Sequence, residues 1–586
     1  IYNNATTRVL GDVYAEWEFL KDLKLKVSLG MDIMYLKQNK YTPSNIYQSL
    51  GIASAKVGVN RSINWLNENI LTWNKTFKDI HSLNILGGFT IQRNNVESVT
   101  GASSNFVNDV MKYNNLGAGS IYDKPESSAT QWSLMSYLAR INYSLYDRYL
   151  FSVNGRVDGS SRFGGNNKYG FFPSGSVAWR ISEEGFMEPV KAVINNLKLR
   201  TSYGFTGNTE IGVYESLATL GSNSWTIGNQ LVSGFYPNRI PNPDLKWEKT
   251  GQFDIGFDLG LFNNRLRLTA DYYYKKTTDL LYNVAIPSAS GYDSMLKNIG
   301  SVQNKGYELS IESDNLSGAF SWTTAFNISF NRNKVLELGG ETYKDVGTYD
   351  DHLKTSDIRR LIVGQPIGVF YGYRFDGIFQ NEAECAQQTS SPSPIGVGLR
   401  RYKDLNGDGK IDATNDREIL GDANPKFFGG MTNTFAYKGF ELNVFLQYSY
   451  GNKIFNYNAM ELESPTCGQH VYQALVNSWT PTNPSNEYQK ATTNRNNIVS
   501  DRFIEDGSFL KLKTVSLSYS FPKLNWKHLG GLRLYVTGQN LLTWTKYRGY
   551  DPEVSYRGAS TLEAGEDFGG YPQARTFMFG IKLDIK

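Results

Sequence analysis

The chain has 586 residues, and its 60 Lys and Arg residues nearly balance its 56 Asp and Glu residues, giving a formal net charge of +4. This balance argues against nucleic acid or an anionic surface as the main partner. The mean hydropathy is −0.41, and the sequence has no run of about 18 apolar residues, which excludes membrane spans made of helices. Because lipid tolerates only helices and closed barrels, any membrane-spanning part must be a β-barrel.

Apolar and polar residues alternate with a period of two along the whole chain, beginning with LKLKVSLGMDIMYL at residues 23–36. This period predicts a strand with one apolar and one polar face. The alternation recurs in chain order at residues 266–274, 320–330, 440–450 and 575–585. Such strands are longer than the roughly five or six residues typical of soluble β-proteins. We therefore predict an all-β fold, a transmembrane antiparallel β-barrel with its apolar faces turned outward to lipid.

Short and long connections alternate between the predicted strands, as do the turns and outer loops of bacterial barrels. The short connections are expected at residues 21–22, 77–80, 146–148, 183–191, 262–265, 315–319, 438–439 and 522–531. The long connections are rich in Gly, Asn, Ser and Pro and are expected at 37–61, 99–130, 207–245, 279–301, 335–425, 452–507 and 544–572, with a shorter one at SRFGGNNKYG.

The alternation is strict if IGVFYGYRFDGIF, residues 367–379, forms a hairpin within an outer loop and not a strand of the wall. About seventeen spanning strands then remain. An odd number cannot close a single-chain antiparallel barrel, so we interpret residues 1–586 as the C-terminal part of a larger barrel. No signal peptide precedes Ile1, so we expect that an N-terminal part of the exported protein is missing.

Many sequence blocks between residue 60 and the C-terminus resemble one family. They include NPDLKWEKTGQFDIGFDLGLFNNRLRLTADYYYKKTTDLL, GQPIGVFYGYRFDGIFQ, YKDLNGDGKID, REILGDANPKFFGGMTNTFAYKGFEL and LRLYVTGQNLLTWTKYRGYDPE. In this order they resemble the barrel of SusC/RagA-type TonB-linked outer-membrane transporters of Bacteroidetes. The resemblance implies a barrel of about twenty-two strands around a plug. The N-terminal plug, the TonB box and the first strands would then lie outside this chain.

The resemblance also implies a function and partners. It implies a multi-pass β-barrel in the lipid of the cell outer membrane, importing a bulky nutrient, with an oligosaccharide favoured over an oligopeptide. TonB–ExbB–ExbD would drive import through the missing N-terminal plug. A SusD-like surface lipoprotein would close as a lid over the long loops, including 335–425 and 452–507. A siderophore- or cobalamin-type TonB receptor, or a surface binding or adhesion barrel that does not transport, are the alternatives.

One loop motif has a metal-binding pattern of its own. DLNGDGKID places oxygen ligands at alternate positions, as in the first nine positions of an EF-hand-type calcium loop. The candidate calcium ligands are Asp404, Asn406, Asp408, the carbonyl of Lys410, Asp412 and Asp416. Asn415 stands where the bidentate acid is expected, so calcium is held weakly unless the loop bulges to let Asp416 reach. The alternative is an Asp/Asn/Gly turn held by bonds between side chains and backbone.

Aromatic and charged residues outside this motif are candidates for binding or for ordinary structure. The loop aromatics Trp225, Tyr236 and Tyr472, and the run FYGY at residues 370–373, suit stacking on a sugar ring. The alternative is that such aromatics belong to the interfacial girdle of the barrel. Lys511 and Lys513 are interpreted as charges solvated in a wide lumen.

Cysteine and histidine usage gives no sign of catalysis. Cys385 and Cys467 both lie in long polar loops and form either one disulfide or two unpaired thiols. The four histidines are scattered without metal-ligand spacing, and neither cysteine has a base beside it in sequence. We therefore predict that the chain is not an enzyme.

Overall fold

The computed structural model describes residues 1–292, 294–347, 358–463, 470–492, 497–521 and 529–585. The chain forms two compact units. The first comprises Ile1–Arg180, Arg200–Phe253 and Thr277–Ile299, and the second comprises Ile181–Leu199, Asp254–Lys276 and Gly300–Lys586. Within the described ranges, none of the helices has the length and apolar character needed to cross a membrane.

Strands make up most of the regular structure. From the N-terminus they are β1 (Tyr2–Leu20), β2 (Leu23–Thr42), β3 (Ser54–Phe77), β4 (His81–Phe106), β5 (Gly119–Tyr122), β6 (Glu126–Leu145), β7 (Tyr149–Ser160), β8 (Tyr169–Arg180), β9 (Ile194–Asn208), β10 (Thr219–Ile227), β11 (Gln230–Arg239), β12 (Glu248–Leu261), β13 (Leu266–Thr278), β14 (Leu281–Ala285) and β15 (Ser294–Asn298). They continue with β16 (Ser301–Leu316), β17 (Phe320–Glu337), β18 (Tyr343–Val346), β19 (Arg359–Ile362), β20 (Val369–Tyr373), β21 (Phe375–Ile378), β22 (Arg400–Tyr402), β23 (Arg417–Asp422), β24 (Phe427–Tyr437), β25 (Phe440–Tyr450), β26 (Lys453–Asn456), β27 (Ile504–Asp506), β28 (Phe509–Ser520), β29 (Leu529–Thr545), β30 (Glu566–Asp567) and β31 (Thr576–Ile585).

Helices are few and short in the described residues. The α-helices are α1 (Glu382–Cys385) and α2 (Tyr457–Leu462). Short 3₁₀ helices lie at Tyr47–Ser49, Lys112–Asn114, Leu116–Ala118, Ile181–Glu183, Gly185–Val190, Ser288–Ser290, Gln473–Asn477 and Asp501–Phe503.

The first unit is built on an antiparallel sheet in which β1, β2, β3, β4, β6, β7 and β8 pair in succession. The β2–β3 ladder runs without a register shift from the pair Leu23–Trp73 to the pair Thr42–Ser54. β2 alone has 20 residues, about twice the length that a tilted strand needs to cross a bilayer. The ladder therefore continues into residues that the sequence pattern assigns to loops, because backbone pairing does not require an apolar face.

The second unit is built on the antiparallel succession β16, β17, β24, β25, β28, β29 and β31. Register shifts lie between Phe445 and Leu446 of β25 and between Leu512 and Thr514 of β28. Three further long strands, β9, β12 and β13, have residues in both units. Leaving the β10–β11 hairpin aside, the described residues contain seventeen strands of ten residues or more, which confirms the predicted strand count.

β31 shows most clearly that one face of these strands is apolar. Its alternate residues Phe577, Phe579, Ile581, Leu583 and Ile585 are between 52% and 80% exposed. An unbroken row of large apolar side chains along one face of a long strand is typical of a wall strand that faces lipid. The apolar face predicted from the alternation is therefore present in the folded strand.

Tight turns join consecutive strands at one end of each hairpin. Lys78 and Asp79 have φ values of 54° and 54°, and Tyr146 and Asp147 have 54° and 55°. Positive φ at both central residues is typical of the type I′ turn, whose twist matches that of the paired strands. The predicted short connection at 522–531 lies mostly outside the described residues.

The predicted hairpin at residues 367–379 is wrong in one respect. As predicted, the segment stays outside the wall. Its two strands, however, do not pair with each other. β20 pairs with β19 and β23, whereas β21 pairs with β22. Only Arg374 separates β20 from β21, and a single residue cannot reverse the chain into a hairpin.

Buried apolar clusters of the first unit lie beneath its long connections. Phe163, Phe172, Leu245 and Trp247 form one cluster. A second cluster surrounds Tyr41, which is 1% exposed and donates its hydroxyl to Asp109 at 2.6 Å. The connections therefore have small cores of their own.

The tight turn between β24 and β25 provides a test of the hairpin geometry. Gly439 has φ +88°, and a Cβ at this position would lie 2.7 Å from the carbonyl oxygen of Ser520. We expect Gly439→Ala to destabilise the folded barrel by about 1–3 kcal/mol, measured by urea unfolding of the refolded protein. Gly318→Ala is the matched control, because its Cβ would meet only the carbonyl oxygen of Phe320 at 4.0 Å. Equal losses in the two variants would contradict the interpretation.

Candidate functional site

The three long connections of the second unit are residues 338–426, 451–508 and 546–575. Their described residues, 338–347, 358–426, 451–463, 470–492, 497–508 and 546–575, fold together into what we call the loop body. Its apolar core contains Ile358 and Phe370 from the first connection and Phe455, Met460 and Phe503 from the second. Phe568 of the third connection packs against this core. Segments far apart in sequence therefore form one packed structure in place of three separate loops.

Small sheets reinforce the loop body. β18, β19, β20 and β23 form one sheet within the first connection. β26 of the second connection pairs antiparallel with β27 and parallel with β30 of the third connection. A parallel bridge between Tyr373 and Ser500 joins the first and second connections. Backbone hydrogen bonds thus link all three connections.

A buried carboxylate, Glu463, joins the same three connections electrostatically. It accepts a hydrogen bond from Arg502 Nε at 2.7 Å and one from Arg548 Nη1 at 3.3 Å, and its Oε2 lies 3.8 Å from Arg400 Nη2. The side chains of Glu463 and Arg400 are 1% and 2% exposed. A charge removed from water in this way is tolerated only when opposite charges and hydrogen bonds surround it. We call this group the Glu463 cluster.

A second buried ion pair lies between the first and third connections. Arg359 Nε donates to Glu566 at 2.9 Å, and both side chains are 1% exposed. Arg359 also donates to the carbonyl of Gly368 and stacks 4.1 Å above the Phe370 ring. Burial raises the pKa of Glu566, an effect that Arg359 and Arg557 oppose.

The loop body is tied to the strands by polar side chains. Lys511 of β28 donates to Asp551 at 2.6 Å and to Glu553 at 2.5 Å. Gln447 of β25 donates to Glu553 at 2.9 Å. The Lys511 side chain is 3% exposed, so its predicted role as a solvated charge is wrong, because the third connection covers it. A cavity of about 310 Å³ lies beside these contacts, lined among others by Tyr448, Phe509 and Glu553.

The candidate calcium loop forms a closed turn in which carboxylates accept backbone amides. Asp404 accepts from the amides of Gly407 at 2.6 Å and Gly409 at 2.7 Å. The fully buried Asp416 accepts from Leu405 and Asp412, each at 2.8 Å, so it reaches back across the loop as the bulged alternative requires.

The other candidate ligands are also engaged within the turn. Asn406 and Asp408 accept from the amides of Asp408 and Lys410. Hydrogen bonds from Asn415 and Thr414 lower the pKa of Asp412. Within the described ranges, His, Cys, Asp and Glu side chains form no group of three or more suited to a metal ion. The geometry is that of the self-bonded turn, and calcium binding stays a prediction.

The aromatic residues predicted to suit sugar stacking fall into two groups in the structure, buried and exposed. Phe370 and Tyr373 of the FYGY run are buried, and Tyr472 packs against the apolar core of the loop body. These three side chains therefore have structural roles. Trp225 and Tyr236 are 43% and 41% exposed on the β10–β11 hairpin.

The thiol of Cys385 is buried at the end of α1, and burial raises its pKa. Cys467 lies outside the described residues, so the predicted choice between a disulfide and two thiols stays a prediction.

The family model described as "TonB dependent receptor-like, beta-barrel" matches residues 2–378. The chain belongs to this family. Membership makes it part of an outer-membrane β-barrel protein and confirms that it is not an enzyme, since the family consists of receptors and transporters. The resemblance to the SusC/RagA type, found in the sequence blocks, is confirmed by relatives of both kinds.

TonB-dependent receptor P3 of Formosa agariphila is 39% identical over 580 residues, which cover 97% of this chain and 57% of the relative. TonB-dependent receptor SusC of Bacteroides thetaiotaomicron is 30% identical over 598 aligned residues, which cover 98% of this chain and 55% of SusC. The chain thus spans little more than half the length of these relatives.

A solved structure described as the RagAB peptide transporter superposes with a TM-score of 0.86 at 25% identity, covering 99% of this chain and 62% of the matched chain. The closed-closed state of the RagAB peptide importer gives a TM-score of 0.84. The β-barrel fold predicted from the alternation is therefore confirmed.

Removing the charge of Glu463 should destabilise the loop body locally. Glu463→Gln leaves three guanidinium groups without their shared negative charge, and removing one partner of a buried ion pair typically costs about 3–5 kcal/mol. We expect faster hydrogen exchange at the amides of Phe455 and Ala459, with unchanged exchange in β24 and β25. The control is Glu441→Gln, because Glu441 is 42% exposed in its pair with Arg533 and such pairs contribute about 1 kcal/mol or less. Equal exchange rates in Glu463→Gln and the wild type would contradict a stabilising role for the cluster.

Proposed function

We propose that this chain forms the wall and outer loops of a TonB-dependent importer of a bulky nutrient. The observation that carries the proposal is the match of the receptor family model over residues 2–378, supported by a likeness to RagAB over 99% of the chain. TonB–ExbB–ExbD would supply the energy by acting on an N-terminal plug. Siderophore receptors and display barrels remain the alternatives for the experiment below.

We propose that a SusD-like lipoprotein lid docks on the loop body. Its three connections share an apolar core and two buried ion-pair groups, so they present a surface of fixed shape. A preformed surface binds a partner without the cost of ordering flexible loops. Anchoring through Lys511 to Asp551 and Glu553 holds this surface on the strands.

For the substrate we propose an oligosaccharide, with an oligopeptide as the second candidate. The exposed pair Trp225 and Tyr236 favours a sugar, because an aromatic face matches the apolar face of a pyranose. The peptide alternative is supported by the likeness to a structure described as a peptide transporter.

Uptake assays test the function directly. In a bacterium carrying the gene for the full-length protein, we expect fluorescently labelled oligosaccharides to enter the periplasm and entry to stop when the proton motive force is dissipated. Deletion of the gene should abolish this uptake, and labelled oligopeptides are the parallel probe. Surface binding that persists without entry would favour the display barrel, and uptake of ferric siderophores alone would favour the siderophore receptor.

We also propose that the DLNGDGKID turn binds calcium. Its donor set of carboxylate, amide and carbonyl oxygens suits a hard cation, and an ionised carboxylate retains acceptor positions after two hydrogen bonds. Asp404 and Asp416 would hold the ion, with Asn406, Asp408, the carbonyl of Lys410 and Asp412 completing the set. A bound ion would lock the first connection of the loop body, since Thr389 and Ile411 also bond to neighbouring backbone in this region.

Calcium return after EDTA treatment tests the metal proposal. With calcium at about ten times its dissociation constant, the site should gain about 1.4 kcal/mol of stability. The readout is hydrogen exchange at residues 404–416, which should slow in the wild type and stay unchanged in Asp404→Asn. Asp376→Asn is the control, because Asp376 lies outside the turn in an exposed pair with Arg401. No slowing in the wild type at millimolar calcium would contradict the site.

A further inference from the structure

The β10–β11 hairpin presents a pair of aromatic rings on one face. Its strands are joined by Gly228 and Asn229, with φ values of 58° and 66°, as in a type I′ turn. The register places Gly221 opposite Tyr236, Asn223 opposite Gly234, and Trp225 opposite Val232. Residues at alternate positions share a face, so Trp225, Asn223 and Tyr236 lie on the same side.

Two glycines set the position of the rings on this face. A Cβ at Gly234 would lie 1.9 Å from the Trp225 ring, and a Cβ at Gly221 would lie 2.5 Å from the Tyr236 ring. Each ring therefore rests on the backbone of the neighbouring strand, where only glycine leaves room. The two ring centroids are 6.5 Å apart with an interplanar angle of 85°. The rings thus line two sides of a fixed corner.

The corner remains open to solvent. Trp225 and Tyr236 are 43% and 41% exposed, and the side chain of Asn223, which stands between them in register, is also exposed. Because the two rings are only partly covered, each keeps apolar surface that a ligand can contact. Because the rings are already fixed in position, a ligand that binds them pays less conformational entropy.

The charge of the hairpin restricts the ligand. Residues 219–238 contain no Asp, Glu, Lys, Arg or His. Arg239 at the base pairs with Glu215 at 3.1 Å. A ligand with a net charge would find no partner on the hairpin. A neutral ring with one apolar face and a rim of hydroxyl groups matches the aromatic rings and the amide of Asn223.

We propose that the Trp225–Tyr236 face is a capture site for neutral oligosaccharides. A pyranose ring stacks on one aromatic ring, and the amide nitrogen of Asn223 donates to its hydroxyl groups, while Asn223 Oδ1 accepts from the backbone amide of Ser224 at 2.9 Å. The inference rests on the proposed import function, since the captured glycan is the nutrient to be imported. It adds to that function a defined binding site and a neutral class of glycan.

The opposite face of the same hairpin provides a matched control. Leu220, Leu231 and Phe235 are 70%, 77% and 75% exposed there. They are as accessible as the aromatic pair, but their alternating neighbours are Ser222, Ser224 and Ser233, and no glycine seats a ring among them. Substitutions on this face change the exposed apolar area without touching the corner.

The experiment measures binding of a panel of neutral gluco-, xylo-, galacto- and manno-oligosaccharides to the purified full-length protein by calorimetry and by tryptophan fluorescence. We expect at least one member to bind. Trp225→Ala and Tyr236→Ala should each weaken that binding about tenfold, the loss of about 1.4 kcal/mol of stacking. Gly234→Ala should weaken it as well, because the added Cβ displaces the Trp225 ring. Phe235→Ala and Leu231→Ala should leave it unchanged.

Several results would overturn the capture site. These are binding by no member of the panel, unchanged binding in Trp225→Ala and Tyr236→Ala, or equal weakening by substitutions on both faces. Loss of a lipoprotein partner from the Trp225→Ala protein without loss of glycan binding would assign the face to protein docking instead. Uptake of labelled oligopeptides without glycan binding would overturn the capture site and leave the import function standing. Glycan binding without uptake of any probe would leave the capture site standing and overturn the import function.

Discussion

Backbone hydrogen bonding is the constraint on which the rest of this structure depends. In hydrocarbon an unpaired amide or carbonyl costs several kcal/mol, so each strand of the wall must be paired along its full length. The uninterrupted ladders of β2 with β3 and of β3 with β4 meet this requirement. Such a wall leaves little freedom except at the ends of its strands. Variation is therefore confined to the connections, which differ in length while the strands between them stay regular, and loops of this kind are where binding residues of rigid scaffolds are usually found.

Connections as long as those of the second unit need a core of their own. The loop body obtains one by combining apolar packing around Phe370 and Phe455 with the buried charges of the Glu463 cluster and the Arg359–Glu566 pair. A buried ion pair adds little net stability compared with apolar residues of similar volume, but separating its partners is costly. We infer that these pairs select one arrangement of the three connections, because an alternative packing would leave a guanidinium or a carboxylate buried without a partner.

The wall was predictable from the sequence, because a strand with two different faces has a local period of two, and the tight turns fall where that period breaks. The loop body was not. Arg400 and Glu463 are 63 positions apart, and Arg359 and Glu566 are 207 apart, so no local pattern marks either pair. The interpretation of Lys511 failed for the same reason, since alternation identifies its face of the strand but not the connection that covers it. Trp225 and Tyr236 were identified as candidates, but the glycines beneath them become meaningful only once the register is known.

Aromatic residues in the connections follow two different rules. In the loop body several layers of chain surround Phe370 and Tyr457, so their rings are buried and contribute to stability. A two-stranded hairpin has no third layer, so its rings cannot be buried in this way, and isolated hairpins are marginal structures. Trp225 and Tyr236 recover part of the packing by resting on Gly234 and Gly221, which covers one side of each ring and leaves the other side to solvent. Each ring therefore keeps one apolar side exposed, and this exposed side is the surface that the proposed capture site uses.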